Sequence, residues 1–248
     1  MIVIVFLFIL PFIIVNAVKF NLVNSSHRSI RMNFMGIYNM ESIKIYLFYP
    51  ILTFLTLGLL KPYIARKSNE YYLRNLRFGT SKFSSKLTTK GFISIYLKAL
   101  GLILAVTFIF GGIFGLIYYN ITNQPLQTAM PFLPFLIILS IYISLVFIVA
   151  LTRNYIFNNT SLDNLKFLSD IKGSSLIYLL VSNFVLIIIS FGLLIPYASI
   201  QTARYYAKHT YIDDKKHLDD FIQDEQKRVT ALGDSASDIL DVDVGAVG

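Results

Sequence analysis

The sequence contains two copies of one short stretch, "GLLKPY" at Gly58–Tyr63 and "GLLIPY" at Gly192–Tyr197. Each copy ends a long apolar run, and a pair of tyrosines follows each at the same distance, at Tyr71-Tyr72 and at Tyr205-Tyr206. Proline removes an intrahelical hydrogen bond and kinks or ends a helix. Each copy is therefore predicted to turn an apolar helix into a second, tyrosine-bearing helix, and a chain that does this twice is built from repeats.

The apolar runs predict an all-α fold, a polytopic helical membrane protein. Only 15% of the residues are charged and 55% are hydrophobic, whereas a typical soluble domain has about 25% charged residues. Uncharged runs of about 20 residues mark membrane helices. We predict membrane segments at about 45–61, 97–119, 130–151 and 176–196. Residues 1–18 form a further hydrophobic segment, which is a signal anchor, a weak signal peptide or the product of a start codon assigned too early.

The charges between the apolar runs set the predicted topology. Residues 61–98 contain nine lysines and arginines against one acid, Glu70, and the positive-inside rule assigns such a segment to the cytoplasm. The connector at residues 120–129 is uncharged and is predicted to be a short external turn. Residues 19–212 thus form the predicted transmembrane domain, which is followed by an acidic, partly disordered tail at residues 213–248.

Three polar stretches of the chain align with one another, at Asn24–Met32, Asn75–Phe83 and Asn159–Phe167. In each stretch a basic residue stands seven positions after the asparagine, at Arg31, Lys82 and Lys166. The predicted architecture is therefore a set of degenerate internal repeats with basic interfacial helices between the membrane segments.

The sequence allows two topologies for the first polar stretch, which place it on opposite sides of the membrane. A single crossing at residues 45–61 would place it opposite the other two stretches, although all three are basic. A re-entrant hairpin between Pro50 and Pro62 would keep all three on one side. The sequence favours the single crossing, because re-entrant backbone is tolerated only where protein or water covers it.

The stretches "LTLGLLKPY", "YYLRN", "FGTSKFSS" and "SFGLLIPYASIQTARYY" resemble the YjgN family of bacterial inner-membrane proteins, a family of unknown function. The resemblance covers roughly residues 21–211, and the acidic "GDSASDILDVD" ending is also similar to family tails. The hydrophobic run at residues 2–18 lies outside the pattern. The resemblance implies a multi-pass protein of the bacterial cytoplasmic membrane, and it supplies no catalytic residues.

The sequence contains no arrangement of residues that predicts catalysis, a metal site or a cofactor. Cysteine is absent, the three histidines lack metal-ligand spacing, and no P-loop, Gly-x-Ser-x-Gly or Gly-x-Gly-x-x-Gly motif occurs. We therefore predict no enzymatic activity, no cofactor and no metal. The net charge is +8. The basic residues that cause it are predicted to contact anionic lipid headgroups and not nucleic acid, because they lie between membrane segments.

The repeated polar positions beside the membrane are the candidate lipid- or ligand-facing residues: Arg66, Tyr71, Asn75, Lys82, Asn159, Lys166 and Arg204. Helix packing is predicted at Gly111 and Gly115, which stand four apart on one helix face, and at Asn183, a mid-membrane amide that needs a partner.

Two functions remain open from the sequence. One is a small transporter or channel component, whose repeats and broken helices would surround a path. The other is a non-transport membrane protein that binds anionic lipid or a protein partner through its basic cytoplasmic face. A homo-oligomer is compatible with both.

Overall fold

The computed structural model describes residues 2–124, 126–213 and 217–231, with side chains from residue 8 onward except that of residue 126. The chain forms two compact units. Unit 1 comprises Met1–Leu87, Asn158–Phe167 and Ile212–Gly248, and unit 2 comprises Thr88–Phe157 and Leu168–Tyr211.

Most of the described chain is helical. The first half contains α1 (Ile2–Val23), α2 (Met40–Ile43), a π-helical stretch (Lys44–Phe48), α3 (Tyr49–Leu55) and α4 (Lys61–Asn75). The second half contains α5 (Thr89–Thr122), a 3-10 helix (Leu126–Phe132), α6 (Leu133–Asn158), α7 (Gly173–Ile189), α8 (Ile195–Lys208) and α9 (residues 217–231). Pro62 and Pro196 lie in the first turns of α4 and α8, where the missing N–H of proline costs nothing.

The structure also contains a seven-stranded sheet, so the all-α prediction is wrong in this respect. The strands follow one another in chain order: β1 (Ser26–His27), β2 (Ile30–Phe34), β3 (Leu76–Phe78), β4 (Ser81–Ser85), β5 (Thr160–Leu162), β6 (Leu165–Ser169) and β7 (Thr210–Ile212). The five pairs from β1 to β6 are antiparallel. The sequence did not indicate these strands because two to five residues are too few for a period-two pattern to stand out.

The three aligned polar stretches, for which the sequence predicted no strand, are β-hairpins. Each has a two-residue turn four positions after its asparagine, at Arg28-Ser29, Gly79-Thr80 and Asp163-Asn164. The first residue of each turn has a left-handed backbone, with φ of 50°, 60° and 49° respectively, as favoured two-residue hairpin turns require. The shared register places the three repeated basic residues at the same position of each second strand.

The core of unit 1 joins α1 to the first hairpin and to α4. Val15, Phe34, Ile45 and Tyr71 are buried together, and the rings of Phe34 and Tyr71 meet edge to face with centroids 6.1 Å apart. Burial of each such side chain contributes about 1.5–3 kcal/mol. The N-terminal hydrophobic segment is therefore part of the packed fold of unit 1.

Part of the acidic tail forms helix α9, which packs on unit 1. Ile222 and Glu225 are buried, and Phe221 stacks on Phe78 of β3 with ring centroids 6.3 Å apart. This part of the tail is thus a packed element, whereas residues 214–216 and 232–248 of the predicted tail lie outside the described residues.

The core of unit 2 contains a polar side chain at the end of α6. Asn154 Oδ1 accepts hydrogen bonds from Ser169 Oγ and Ile171 N, and Asn154 Nδ2 donates to Ile171 O, at distances of 2.8, 2.9 and 2.8 Å. Ala150, Ile171 and Leu176 are buried together. The amide thereby fixes the segment after β6 against α6.

Candidate membrane interface

Two helical stretches are long and apolar enough to cross a membrane. Within the described residues they are α5 and Gln127–Asn158. In the most apolar 18-residue stretch of each, only 0% and 11% of the residues, respectively, are buried inside the protein. A hydrogen bond of 2.9 Å from Thr107 to Ser140 joins α5 to α6. Two shorter apolar helices, Phe8–Val23 and α7, fall below the roughly 20 residues that a straight crossing needs.

Three helical segments, here called excursions, leave the sheet and return to it. One backbone hydrogen bond joins the two ends of each excursion at the sheet, and the three bonds are equivalent. They run from Met35 N to Asn75 O at 2.8 Å, from Lys86 N to Asn159 O at 2.9 Å and from Asp170 N to His209 O at 3.2 Å. Each donor directly follows the second strand of a hairpin. Two of the acceptors are repeated asparagines, and the third is His209, which stands four residues after Tyr205 as Asn75 stands four after Tyr71. The first (residues 36–74), second (87–158) and third (171–208) excursions therefore each begin and end at the sheet.

One face of the sheet is basic. Directly paired residues of antiparallel strands share a face, and so do residues two apart in one strand. The register from β1 to β6 therefore places four cations on one face: Arg31, Arg77, Lys82 and Lys166. No carboxylate lies on this face in strands β1 to β6. The opposite face is apolar and largely buried, with Ile30, Phe34, Leu76, Leu162 and Leu165.

The two Gly-Leu-Leu-x-Pro-Tyr stretches form the same backbone turn. Turn A (residues 56–61) connects α3 to α4, and turn B (residues 190–195) connects α7 to α8. In turn A, Leu57 and Gly58 have φ of 49° and 84°, and in turn B, Phe191 and Gly192 have φ of 49° and 88°. Glycine takes such a conformation at little steric cost, which is why the second of these positions is glycine in both copies.

Each turn satisfies its own backbone donors. In turn A, Gly58 N donates to Thr53 O at 2.8 Å, and the Thr56 hydroxyl accepts from Leu60 N at 3.5 Å. Turn B has the same two bonds at the equivalent positions, at 2.8 and 3.1 Å. The other N–H groups of both turns bond to carbonyls of the same segment. A turn without free donors is compatible with hydrocarbon, where each unsatisfied group would cost several kcal/mol.

Two large apolar side chains of each turn are almost fully exposed. Leu57 and Leu59 are 92% and 84% exposed in turn A, and Phe191 and Leu193 are 97% and 84% exposed in turn B. Large apolar side chains grouped on a surface in this way mark a site of contact with lipid or protein. The two turns are therefore candidate membrane-contacting sites.

The structure places the predicted site residues in different parts of the fold. Lys82 and Lys166 lie on the basic face, and Asn75 and Asn159 close the first and second excursions. Tyr71 is buried in the core of unit 1.

The other two predicted cations lie on helices. Arg66 lies on α4 and pairs with Glu70 of the same helix at 3.3 Å, while Arg204 is exposed on α8. Within the described ranges no three acidic or histidine side chains are close enough together to hold a metal ion.

The predicted helix-packing residues also differ in their surroundings. Asn183 is buried between α7 and α8, where its Nδ2 donates to Ala198 O at 3.2 Å and to Thr202 Oγ1 at 3.1 Å. At Gly111 an added Cβ would meet no atom of the described structure within 4 Å. The predicted helix packing at Gly111 and Gly115 therefore stays a prediction.

Sequence reasoning missed the hydroxyl residues of the turns and the key residue of α9. Thr56 and Ser190 precede the repeated glycines by two positions in both copies, so the repeat itself contained their signal. Glu225 is fully buried, and its carboxylate accepts from Thr80 N, from Ser81 N at 3.2 Å and from Ser81 Oγ at 3.0 Å. An acid within a charged tail gives no sequence signal for such burial.

These features define a repeat-built, mostly helical protein with a small sheet and two long apolar helices. Residues 1–239 match the profile of the family described as bacterial protein of unknown function, DUF898, and the chain belongs to that family. The predicted membership in a bacterial family of unknown function is confirmed. The match also includes residues 2–18, which the resemblance had left out. No curated protein and no solved structure matches the chain.

Proposed function

We propose that this chain is a multi-pass protein of the bacterial cytoplasmic membrane that binds anionic lipid through the basic face of its sheet. The observation that carries the proposal is the set of three closing hydrogen bonds at Asn75, Asn159 and His209. Because each excursion begins and ends at the sheet, the sheet lies on a single side of the membrane. The positive-inside rule assigns the basic side to the cytoplasm.

The three excursions enter the membrane in two ways under this proposal. The second contains α5 and α6, which cross outward and back, so the uncharged connector at residues 120–129 is external. The first and third each contain one apolar helix, a turn and an amphipathic helix, and both re-enter from the cytoplasmic side. The re-entrant alternative thereby replaces the single crossing at residues 45–61. The internal hydrogen bonding of turns A and B supports this choice, because it leaves no free donor in lipid.

A thiol-labelling experiment tests the sidedness, since the chain has no native cysteine. We expect Ser29→Cys and Ser85→Cys to be protected from a membrane-impermeant thiol reagent in intact cells and to react after lysis. The control Gln124→Cys, in the connector, should react in intact cells. Labelling of Ser29→Cys but not Ser85→Cys in intact cells would restore the single crossing and overturn the proposed topology.

The basic face is expected to determine affinity for anionic lipid. Each lysine near an anionic surface contributes about 1 kcal/mol, so Lys82→Ala/Lys166→Ala should weaken binding of phosphatidylglycerol by roughly thirty-fold. The affinity is measured by titrating fluorescent phosphatidylglycerol into detergent-solubilised protein. Lys227→Ala on α9 is the control, because it removes the same charge away from the basic face. Equal losses for Lys82→Ala and Lys227→Ala would contradict a role for the face itself.

A transport path is the second candidate function, and the charges of α4 favour it. Arg66 and Lys67 lie 3.3 and 3.8 Å from the Glu70 carboxylate. For this second candidate α4 would have to lie within the membrane and not at its surface, since charges at membrane depth mark ion and substrate pathways. Ion uptake into proteoliposomes that is lost in Glu70→Gln would support transport, whereas lipid binding without uptake would support the first proposal.

A further inference from the structure

We propose that turns A and B insert to different depths in the bilayer, and that Lys61 holds turn A at the level of the lipid phosphates. This inference rests on the proposed topology and adds a specific lipid contact for each turn. The two turns share their backbone conformation, their glycine, their hydroxyl cap and their exposed leucine. What distinguishes the two turns in this proposal is the set of charges around them.

The repeated six-residue stretch differs between the turns at one position, which is Lys61 in turn A and Ile195 in turn B. Both side chains are exposed, and no carboxylate in the part of the chain that the structure describes forms an ion pair with Lys61. An ammonium at the bilayer centre is strongly disfavoured, because the hydrocarbon cannot solvate its charge. Its methylene stem can instead lie along apolar surface while the charge reaches the phosphate layer.

The depth that each turn can reach is limited by the nearest charge on the helix that follows it, which is α4 after turn A and α8 after turn B. These two are called the returning helices. In turn A that charge is Lys61 itself, within the turn. In turn B it is Arg204, nine helical residues beyond Ile195, which corresponds to about 14 Å along α8. Half the hydrocarbon thickness is about 15 Å. Turn B can therefore approach the bilayer midplane with Arg204 at the surface, whereas turn A cannot do so without burying an ammonium.

The composition of the two returning helices agrees with this difference. After Lys61, α4 places Arg66, Lys67 and Glu70 within its next three turns, whereas α8 has no charge before Arg204. A helix with charges along its length lies in the headgroup region with its apolar side toward the acyl chains. The first excursion thus lies along the cytoplasmic surface with Leu57 and Leu59 in the near leaflet, and the third descends into the bilayer with Phe191 and Leu193 at its deepest point.

The matched positions Leu59 and Leu193 allow a direct test, because both are leucines with the same exposed fraction. Leu59→Cys and Leu193→Cys are each labelled with a nitroxide in proteoliposomes of phosphatidylethanolamine and phosphatidylglycerol. Accessibility to oxygen, which concentrates in hydrocarbon, and to a water-soluble nickel chelate reports the depth of each label. We expect the label at position 193 to be deeper than the label at position 59.

Exchange of the one differing residue completes the test. Lys61→Ile should move the label at position 59 deeper, and Ile195→Lys should draw the label at position 193 toward the surface; neither change affects a buried side chain. Equal depths in the otherwise unchanged protein, or no movement in Lys61→Ile, would overturn the inference. Because the thiol labelling of Ser29→Cys and Ser85→Cys reports sidedness alone, the topology can stand when the depth difference fails.

Discussion

Replacement of Glu225 by alanine is expected to lower the free energy of unfolding of unit 1 by about 3 kcal/mol. The carboxylate is fully buried and accepts hydrogen bonds from Thr80 N, Ser81 N and Ser81 Oγ. Alanine would leave Thr80 N and Ser81 N without this acceptor, whereas the Ser81 hydroxyl keeps Asp163 Oδ2 at 2.7 Å. Each unpaired buried donor costs about 1–3 kcal/mol. Hydrogen exchange of the β3–β4 hairpin and chemical unfolding in detergent measure the loss.

The comparison with Glu225→Gln separates hydrogen bonding from charge, because glutamine keeps an acceptor oxygen. We expect Glu225→Gln to lose less stability than Glu225→Ala. Equal losses in the two variants would show that the hydrogen bonds to the hairpin are not the source of the stability.

The stability that Glu225 contributes is expected to depend on pH. Burial opposes ionisation of the carboxyl, but the hydrogen bonds from Thr80 and Ser81 outweigh it and lower the pKa of Glu225 below its usual range. Its contribution is therefore complete at neutral pH and is lost as the pH falls below about 4. The stability difference between the unchanged protein and Glu225→Ala should shrink over that range, and a constant difference would contradict the lowered pKa.

Replacement of both turn glycines, Gly58→Ala/Gly192→Ala, is expected to destabilise the protein by about 2–4 kcal/mol. A left-handed backbone costs a residue with a Cβ roughly 1–2 kcal/mol, and the effects of the two substitutions are taken to add. An added Cβ at Gly58 would meet no atom within 4 Å, so the loss there comes from the backbone alone. Thermal unfolding of the detergent-solubilised protein measures the effect.

Gly101→Ala provides the matched control for the turn glycines. Gly101 lies within α5, also with no atom within 4 Å of an added Cβ, and alanine is the better helix former by up to about 1 kcal/mol. We expect Gly101→Ala to be neutral or stabilising. A Gly58→Ala/Gly192→Ala variant as stable as Gly101→Ala would show that the two turns do not require glycine.

The helical parts of the fold could be predicted because their signals are local. The repeated stretch predicted that one helix ends and another begins at Pro62 and Pro196, and the structure confirms both breaks. The predicted membrane segments at residues 97–119 and 130–151 lie within the two stretches that are long and apolar enough to cross. Apolar length and proline geometry depend only on neighbours in the chain, so one sequence suffices to predict them.

The sheet could not be predicted because it depends on pairing between distant segments. Phe83 of β4 pairs with Leu162 of β5, and nothing local to either residue indicates the other. The turn at Gly79-Thr80 has a glycine to mark it, but Arg28 and Ser29 both adopt a left-handed backbone, which neither residue type favours. The basic face was therefore visible only as three separate basic residues, and its continuity across the strands came from the register.

The strand order also constrains how the chain assembles during synthesis. Because the strands lie in chain order, each pair can form as soon as its second strand has left the ribosome, and the sheet can grow from its N-terminal edge. The β4–β5 pair must wait until α5 and α6, which lie between the two strands, have been synthesised. A delay at that step would leave β4 as an open edge on a half-built sheet, and unpaired edges are where nascent chains associate wrongly or are degraded.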